Sequence, residues 1–251
     1  MSGHSKWSSI KHGKAITDAR RGQLFTKLAR EIIVAARQGG GSPDANFRLR
    51  MAIQRAKENN MPSDNIDKAI KKGTGEGADQ DQMAEVTYEG YGPGGTAILL
   101  QTVTDNRNRT ASDIRTTFAR GGGNLGELGS VAWQFEQKGV VVVEAAPEKA
   151  EELALVAIDA GAADFEAFDS TIYIYSTPGN LEELRNTLAE CEATINSSEI
   201  SMLPKNTVSL DHDAALQTLR LLDRLEDLDD VQTVFSNADF PDEVLARYRD
   251  E

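Results

Sequence analysis

Apolar residues recur with a helical period over the first seventy residues of the chain and with a strand-like period thereafter. From about Thr17 to Gln38, Leu28, Ile32 and other apolar residues share one broad face of a predicted helix. The opposite arc is basic, with Arg20, Lys27, Arg30 and Arg37, and Val34 is its one apolar member. Three glycines at 39–41 end this helix, because glycine tolerates the positive φ of a C-terminal cap.

Two shorter helices are predicted next. Ser42-Pro43-Asp44 is typical of the N-cap, first position and first-turn acid of a helix that ends near Asn60. A third helix begins near Ser63 and ends at Gly73. The three helices predict a small bundle, and the glycine- and aspartate-rich stretch that follows predicts a linker.

Beyond residue 85 the alternation is that of strands. Residues 85–138 predict the order ββαβ, with one strand through 131–135, and a further strand begins at 140–143. Residues 139–204 predict βαββαβ, the ferredoxin-like arrangement. The predicted fold class is therefore multidomain α+β: a three-helix module followed by two α/β domains, at least one of them ferredoxin-like. The predicted domains are residues 1–76, basic and helical; 77–138 plus 205–251, a discontinuous α/β domain; and 139–204, inserted into it.

Charge divides the chain as sharply as periodicity does. Residues 1–72 carry 15 Lys and Arg against 6 Asp and Glu, whereas the rest carry 12 against 34, for a total of −13. A uniformly acidic protein is repelled by polyanions, but a basic module on an acidic body can still bind one. The pattern predicts a nucleic-acid partner, bound at one end of the molecule.

Several other classes of function are disfavoured. No apolar run approaches the roughly 20 residues that a membrane span needs, and the first residues lack the apolar stretch of a secretory signal. The single cysteine, Cys191, is expected to be buried and suits a reducing cytoplasm. The three histidines are scattered, and neither a nucleophile–base pair nor a phosphate-binding glycine motif occurs. We expect a cytoplasmic, monomeric, non-enzymatic protein with no metal, cofactor or small-molecule substrate.

The basic module supplies most of the candidate nucleic-acid-binding residues, since positive charge with an occasional aromatic suits phosphate neutralisation and base stacking. The alternative is a solvated helix face with a floppy start. No convincing helix-turn-helix spacing is present, which disfavours sequence-specific reading of the major groove. The candidates are Lys6, Trp7, Lys11, His12, Lys14, Arg20, Arg21, Lys27 and Arg30.

A second basic group lies where a buried strand runs into a helix. Arg107, Asn108 and Arg109 are candidates there, because backbone N–H groups at a helix start can receive a phosphate. The alternative is a capped turn whose arginines pair with Asp113. The glycine-rich stretch 121–129 is either a loop that orders against a partner or a plain connector, and the acidic last 29 residues are most simply solvating.

Three blocks carry a resemblance to a known family. Gly3-His-Ser-Lys-Trp-Ser-Ser-Ile-Lys-His12, Thr104-Asp-Asn-Arg-Asn-Arg-Thr110 and Gly123-Asn-Leu-Gly-Glu-Leu-Gly-Ser-Val-Ala-Trp-Gln-Phe135 strongly resemble the YebC/PmpR family, which includes the mitochondrial translational activator of cytochrome oxidase. Gly13 and Leu128 depart from the family pattern. The resemblance implies three domains and a cytoplasmic, non-enzymatic protein. Its bacterial members are described as DNA-binding transcriptional regulators or as ribosome-associated factors that relieve stalled peptide synthesis.

Three hypotheses follow. In the first, the protein is a ribosome-associated translation factor that binds structured RNA. In the second, it is a transcriptional regulator that binds duplex DNA. The third, an enzyme acting on nucleic acid, is disfavoured for want of catalytic groups. Replacing Arg107 and Arg109 by alanine is expected to weaken RNA binding without loss of stability.

Overall fold

The computed structural model of the protein describes residues 18–75, 83–168, 170–191 and 193–250. The chain divides into two compact units. The inserted unit runs from Gln134 to Lys205, and the main unit combines the residues before it with those after it. The predicted domain boundaries near residues 76, 138 and 204 stay predictions. The fold class is the predicted one: a multidomain α+β protein with an N-terminal helical region followed by α/β domains.

The main unit begins with a helical module of three helices, α1 (Asp18–Gly39), α2 (Phe47–Glu58) and α3 (Ser63–Gly73). Their apolar faces form one core, in which Ile32, Leu49 and Ile66 are buried. Gly73 lets α3 approach α1 closely, because a Cβ there would lie 2.6 Å from the carbonyl oxygen of Ile33.

The start of α2 differs from the prediction. The helix begins at Phe47, and Asn46 rather than Ser42 is its N-cap. The Asn46 side chain accepts a hydrogen bond from the Leu49 amide and donates to the carbonyl oxygens of Ala35 and Gly40, both at 2.8 Å. One buried amide thus caps two helix ends, a contact that the local pattern around Ser42 does not reveal.

The α/β part of the main unit is assembled from both sides of the insertion. Its elements in chain order are β1 (Ala84–Tyr91), β2 (Ala97–Thr104), α4 (Arg107–Arg120), β3 (Asn124–Leu125), β8 (Val208–Ser209), α7 (His212–Glu226), β9 (Val231–Ser236), β10 (Ala238–Asp239) and α8 (Asp242–Asp250). Four of the strands form an antiparallel sheet in the order β3-β1-β2-β9, and α4 and α7 bury Phe118 and Leu222 in its core. A small parallel pair joins β8 and β10.

The prediction that the acidic last 29 residues are simply solvating was wrong. Phe240, Val244 and Tyr248 are buried in the core of the main unit. The spacing of four residues between Val244 and Tyr248 places both on one face of α8, so this face packs inwards while Asp242 and Glu243 remain exposed. The acidic composition of the last 29 residues did not indicate that they include the amphipathic helix α8.

The inserted unit is ferredoxin-like. Its elements in chain order are β4 (Phe135–Glu144), α5 (Pro147–Asp159), β5 (Asp164–Phe168), β6 (Thr171–Ser176), α6 (Leu181–Glu190) and β7 (Thr194–Pro204), the sequence βαββαβ. The antiparallel sheet has the order β5-β6-β4-β7. Gly139 lies on the helix-covered face, where a Cβ would meet Leu181 at 3.0 Å.

Two local predictions here were wrong. The two strands expected at 131–135 and 140–143 are replaced by the single strand β4, preceded by a 3-10 turn at Ala132–Gln134. β4 continues through Gly139 because its backbone pairs with both β6 and β7 there. Cys191 is exposed, since it caps the end of α6 rather than continuing its apolar face. Among the described helices, none is long and apolar enough to cross a bilayer.

Candidate nucleic-acid interface

Three cations of the basic arc of α1, Lys27, Arg30 and Arg37, face the α/β part of their own unit. Lys27 donates a hydrogen bond to the carbonyl oxygen of Glu226, and Arg30 donates to that of Asp229. Arg37 donates to the carbonyl oxygen of Met83 at 3.2 Å. Lys27 and Arg30, both predicted to bind nucleic acid, therefore have a structural role in holding the helical module to the rest of the unit.

Val34 is the sequence signal for this packing. It lies in the middle of the basic arc and is buried, as are Leu28, Ile32 and Ile33 of the apolar face. A helix that is apolar on one face and carries a buried residue among its cations has a neighbour on both sides. The single interruption of the arc thus indicated that the arc does not face solvent.

Asp230 is the carboxylate on which this contact depends. Its side chain is only 8% exposed, and it joins α1 to the start of α4. Burial by itself raises the pKa of Asp230, but the hydrogen bonds from Thr110 and Arg109 and the charge of Arg30 outweigh it and lower the pKa. Its donors are Arg30 at 2.9 Å, Arg109 at 3.0 Å, Thr110 Oγ1 at 2.7 Å and Thr104 Oγ1 at 3.3 Å.

Arg109 is held in place yet remains accessible. Its Nη2 donates to Asp105 at 2.7 Å as well as to Asp230, and its amide is capped by the Asn106 side chain at 3.1 Å. The side chain is nevertheless 47% exposed. Its carboxylate partners are therefore Asp105 and Asp230 rather than Asp113, and one edge of the guanidinium still reaches solvent.

Arg107 and Asn108 differ from Arg109. Both are exposed at the first turn of α4, and neither side chain has a hydrogen bond or ion pair to another described residue. The contact at Arg107 is through its backbone, whose carbonyl oxygen accepts the hydroxyl of Tyr88 at 3.1 Å. Arg115 and Arg120 are exposed further along the same helix.

Sequence reasoning missed a group of cations on the helical module. Lys68 and Lys71 lie three residues apart on α3 and are exposed, and Lys57 is exposed near the end of α2. The side-chain amine of each of the three makes no hydrogen bond or ion pair with another residue in the part of the chain that the structure describes. The signal was their spacing, because positions three residues apart on a helix share a face.

A second charged contact of the module is an exposed network. Arg48 pairs with Glu85, and Gln38 donates to the same carboxylate at 2.9 Å. The hydrogen bond from Arg48 exceeds the effect of burial and lowers the pKa of Glu85. The module thus meets the first strand of the sheet through polar groups, as it meets the start of β9.

The glycine-rich stretch is held by a residue outside it. The buried carboxylate of Glu89 accepts hydrogen bonds from the amides of Gly129, Val131 and Ala132 at 2.6–2.7 Å. Burial raises the pKa of Glu89, but these three donors prevail and lower it. The loop is therefore fixed at its end, and Leu128 at its tip is strongly exposed.

The remaining predicted residues belong to the start of the chain. Lys6, Trp7, Lys11, His12 and Lys14 lie outside the described residues, as does the side chain of Arg20. Arg21 is exposed on α1. Of the described candidates, the fold brings Arg30 and Arg109 together, through Asp230. A role of these residues in nucleic-acid binding stays a prediction.

In the described ranges, no group of His, Cys, Asp and Glu could hold a metal ion.

Comparisons with known proteins cover nearly the whole chain. Residues 5–76 match the TACO1/YebC protein N-terminal domain, and residues 83–238 match the TACO1/YebC second and third domain. A probable transcriptional regulatory protein of Dehalococcoides mccartyi (strain BAV1) is 56% identical over 251 residues, the full length of both chains. One from Natranaerobius thermophilus is 51% identical over 250 residues, covering 98% of this chain and 99% of the other.

A solved structure agrees with this fold. The crystal structure of a conserved hypothetical protein from Aquifex aeolicus superposes with a TM-score of 0.82 at 47% identity. The match covers 89% of this chain and 92% of that one.

Proposed function

Because the chain belongs to the TACO1/YebC family, we propose that it is a non-enzymatic regulator of gene expression that binds nucleic acid through its helical module. The names of its relatives support a regulatory role. The observation that carries nucleic-acid binding is the exposed set Lys57, Lys68 and Lys71. These cations lie in a region of net charge +9, and none of them forms an ion pair with a described carboxylate.

Within that role, the polyanion is RNA, and the protein acts in the cytoplasm as a ribosome-associated factor that relieves stalled synthesis. Structured RNA is recognised largely through its shape, backbone and 2′-hydroxyl groups, for which lysines on a helix are sufficient. The acidic body, with 34 acidic side chains against 12 basic ones beyond residue 72, is repelled by the same backbone. Binding is therefore oriented, with the module towards the RNA.

The alternative, a DNA-binding transcriptional regulator, is supported by one geometric feature that the sequence analysis did not find. Only the four residues 59–62 separate α2 from α3, and Asn60 adopts a left-handed φ of 58°. A turn of this length is typical of helix-turn-helix motifs. However, Asp64 and Asp67 are exposed in the first half of α3, where a recognition helix contacts base edges next to phosphates. The acidic residues disfavour that docking.

Co-sedimentation with ribosomes in a sucrose gradient tests the translation hypothesis. The wild-type protein is expected to migrate with ribosomes at low and moderate salt. The variant Lys68→Gln/Lys71→Gln is expected to shift towards the top of the gradient. Lys149→Gln is the matched control, because Lys149 is also exposed and its side-chain amine bonds to no described residue, but it lies in the inserted unit.

Two results would decide against RNA. If the wild-type protein stays at the top of the gradient at every salt concentration, ribosome association fails. If it prefers one duplex sequence over scrambled DNA by about 10³-fold or more, the DNA alternative takes its place.

A further inference from the structure

Four large apolar side chains in the described part of the inserted unit are exposed to solvent. Leu155 is 64% exposed and Ile158 is 48% exposed, both on α5, and Phe165 on β5 is 38% exposed, whereas Ile200 lies apart from them on β7. Scattered apolar residues on a surface are ordinary, whereas a contiguous group indicates an interaction site. Leu155, Ile158 and Phe165 form such a group if α5 and β5 place them on the same side of the sheet.

The sheet order and the helix period place all three at one edge. On α5, Leu153 and Val156 lie towards Cys191 and Ala193 and line a shared cavity with them. Leu155 and Ile158 project from the opposite flank of the helix, towards β5. Phe165 is paired with Ile174, which is buried on the helix-covered face, so it projects on the same side of the sheet as α5. We call Leu155, Ile158 and Phe165 the edge strip.

The strand at this edge is open. β5 pairs with β6 on one side and is the outermost strand in the sheet order. The backbone amide of Phe165 donates a hydrogen bond at 2.8 Å to the side-chain carboxylate of Asp164, its neighbour in sequence, and not to a backbone group of another strand. An outer strand with unpaired backbone groups is a template for the addition of another strand.

Acidic residues surround the edge strip. Glu151 lies between Ile158 and Leu155 on the surface of α5, and Asp159 and Asp164 are exposed beside them. The inserted unit as a whole has 14 acidic against 4 basic side chains. This charge repels nucleic acid, and it also opposes pairing with a second copy of the same unit.

We propose that the edge strip and β5 bind an extended, cationic segment of a partner protein, whose apolar side chains cover Leu155, Ile158 and Phe165 and whose backbone adds a strand to β5. Lysines or arginines alternating with apolar residues place the two kinds of side chain on opposite faces of such a strand. The protein then has two surfaces of opposite charge, one for a polyanion and one for a basic protein. This inference does not depend on which nucleic acid the helical module binds.

Fluorescence anisotropy with labelled ten-residue peptides and the full-length protein tests the proposal. The probes are a peptide of alternating Lys and Val, one of alternating Lys and Ser with the same charge, and one of alternating Glu and Val. We expect the Lys–Val peptide to bind at least tenfold more tightly than either of the others. Hydrogen exchange is expected to show protection of the amides of β5 in its presence.

The variant Leu155→Gln/Ile158→Gln is expected to lose at least tenfold in affinity for the Lys–Val peptide. The matched control is Ile200→Gln, since Ile200 is 41% exposed on β7 at the other edge of the same sheet and should leave binding unchanged. Both substitutions are at exposed positions, so equal melting temperatures confirm that the variants are folded.

Equal affinity for the Lys–Val and Lys–Ser peptides would overturn the proposal, as would failure of the Lys–Val peptide to bind. A dimer of the wild-type protein that Leu155→Gln/Ile158→Gln abolishes would assign the strip to a second copy instead. Ribosome co-sedimentation of the same variant is a separate measurement, so failure here leaves the RNA proposal standing.

Discussion

The cations of α1 and those of α3 form similar sequence patterns but have different surroundings in the fold. Both helices carry lysines or arginines on one face, and both belong to the same module. On α1, Lys27 and Arg30 bond to carbonyl oxygens and a carboxylate of the α/β part. On α3, Lys68 and Lys71 meet no described partner. A basic helix face is therefore a structural contact or a binding surface according to what lies opposite to it.

The strongest way to break this comparison is to remove the partner of the α1 cations. Asp230→Asn leaves Arg30 and Arg109 close to a neutral amide, and Arg30 is largely buried. We expect the free energy of unfolding at pH 7 to fall by about 2–3 kcal/mol, less than for a fully buried pair because Arg109 is half exposed. Urea unfolding measures it.

Asp229→Asn is the control for this substitution. It makes the same change one residue earlier, at an exposed side chain, and is expected to cost less than about 0.5 kcal/mol. Equal losses in the two variants would mean that the carboxylate of Asp230 is not what holds α1.

Acid should erase the difference between wild type and Asp230→Asn. A carboxylate with a lower pKa in the folded chain stabilises the fold above its unfolded pKa, near 3.8 for Asp230, and this stabilisation is lost as the pH falls through the folded pKa. We therefore expect the difference in urea midpoint to be constant from pH 7 to about pH 5 and to shrink below about pH 4. A difference as large at pH 3 as at pH 7, or one that already shrinks above pH 5, would contradict the lowered pKa.

The α3 cations are expected to affect binding and not stability. For single-stranded RNA, loss of two phosphate contacts in Lys68→Gln/Lys71→Gln should reduce the salt slope of log affinity by about 1.4, or roughly tenfold in affinity near 0.15 M salt. Filter binding at several salt concentrations measures the slope. An unchanged slope, with Lys149→Gln as reference, would remove α3 from the interface.

Arg107 and Arg109 make the same comparison within two residues. Arg109→Ala removes donors from Asp230 and Asp105 and is expected to cost about 1 kcal/mol, whereas Arg107→Ala should stay within about 0.5 kcal/mol. The sequence predicted no stability loss for either. Thermal melts of the two single variants decide whether that expectation survives for Arg109.

The smallest effect is expected at the exposed network of the module. Arg48 and Glu85 are both close to 40% exposed. Arg48→Met should therefore cost only about 0.2–1 kcal/mol, and less in high salt. A loss as large as that of Asp230→Asn would show that exposure does not distinguish the two contacts. Urea unfolding at 0.1 M and 1 M NaCl compares them.

The sequence was informative where structure depends on near neighbours. The period of Leu28 and Ile32 located α1, and the alternation of strands and helices in 139–204 gave the ferredoxin-like order. Both patterns reflect the local geometry of a helix or strand, which the residues themselves determine. The fold class could therefore be predicted in full.

What the sequence did not reveal depends on residues far apart in the chain. Asp230 lies 121 residues after Arg109, and Glu89 lies 40 residues before the amide of Gly129. No periodicity links such pairs, so Lys27 and Arg30 resembled solvent-exposed cations and the glycine-rich loop resembled an unanchored one. The missed cations on α3 were recognisable from spacing, but only the structure distinguishes them from those of α1.

The pairing of β2 with β9 has a consequence for the timing of synthesis. Residues 98–102 of β2 can pair with β9 only after residues 231–236 have been synthesised, more than a hundred residues later. At roughly 5–20 residues per second, one edge of β2 stays uncovered for about ten seconds while the complete ferredoxin-like unit emerges after it. A nascent chain of this protein thus carries a finished domain in the middle of an unfinished one, and its open edge is where misassembly would begin.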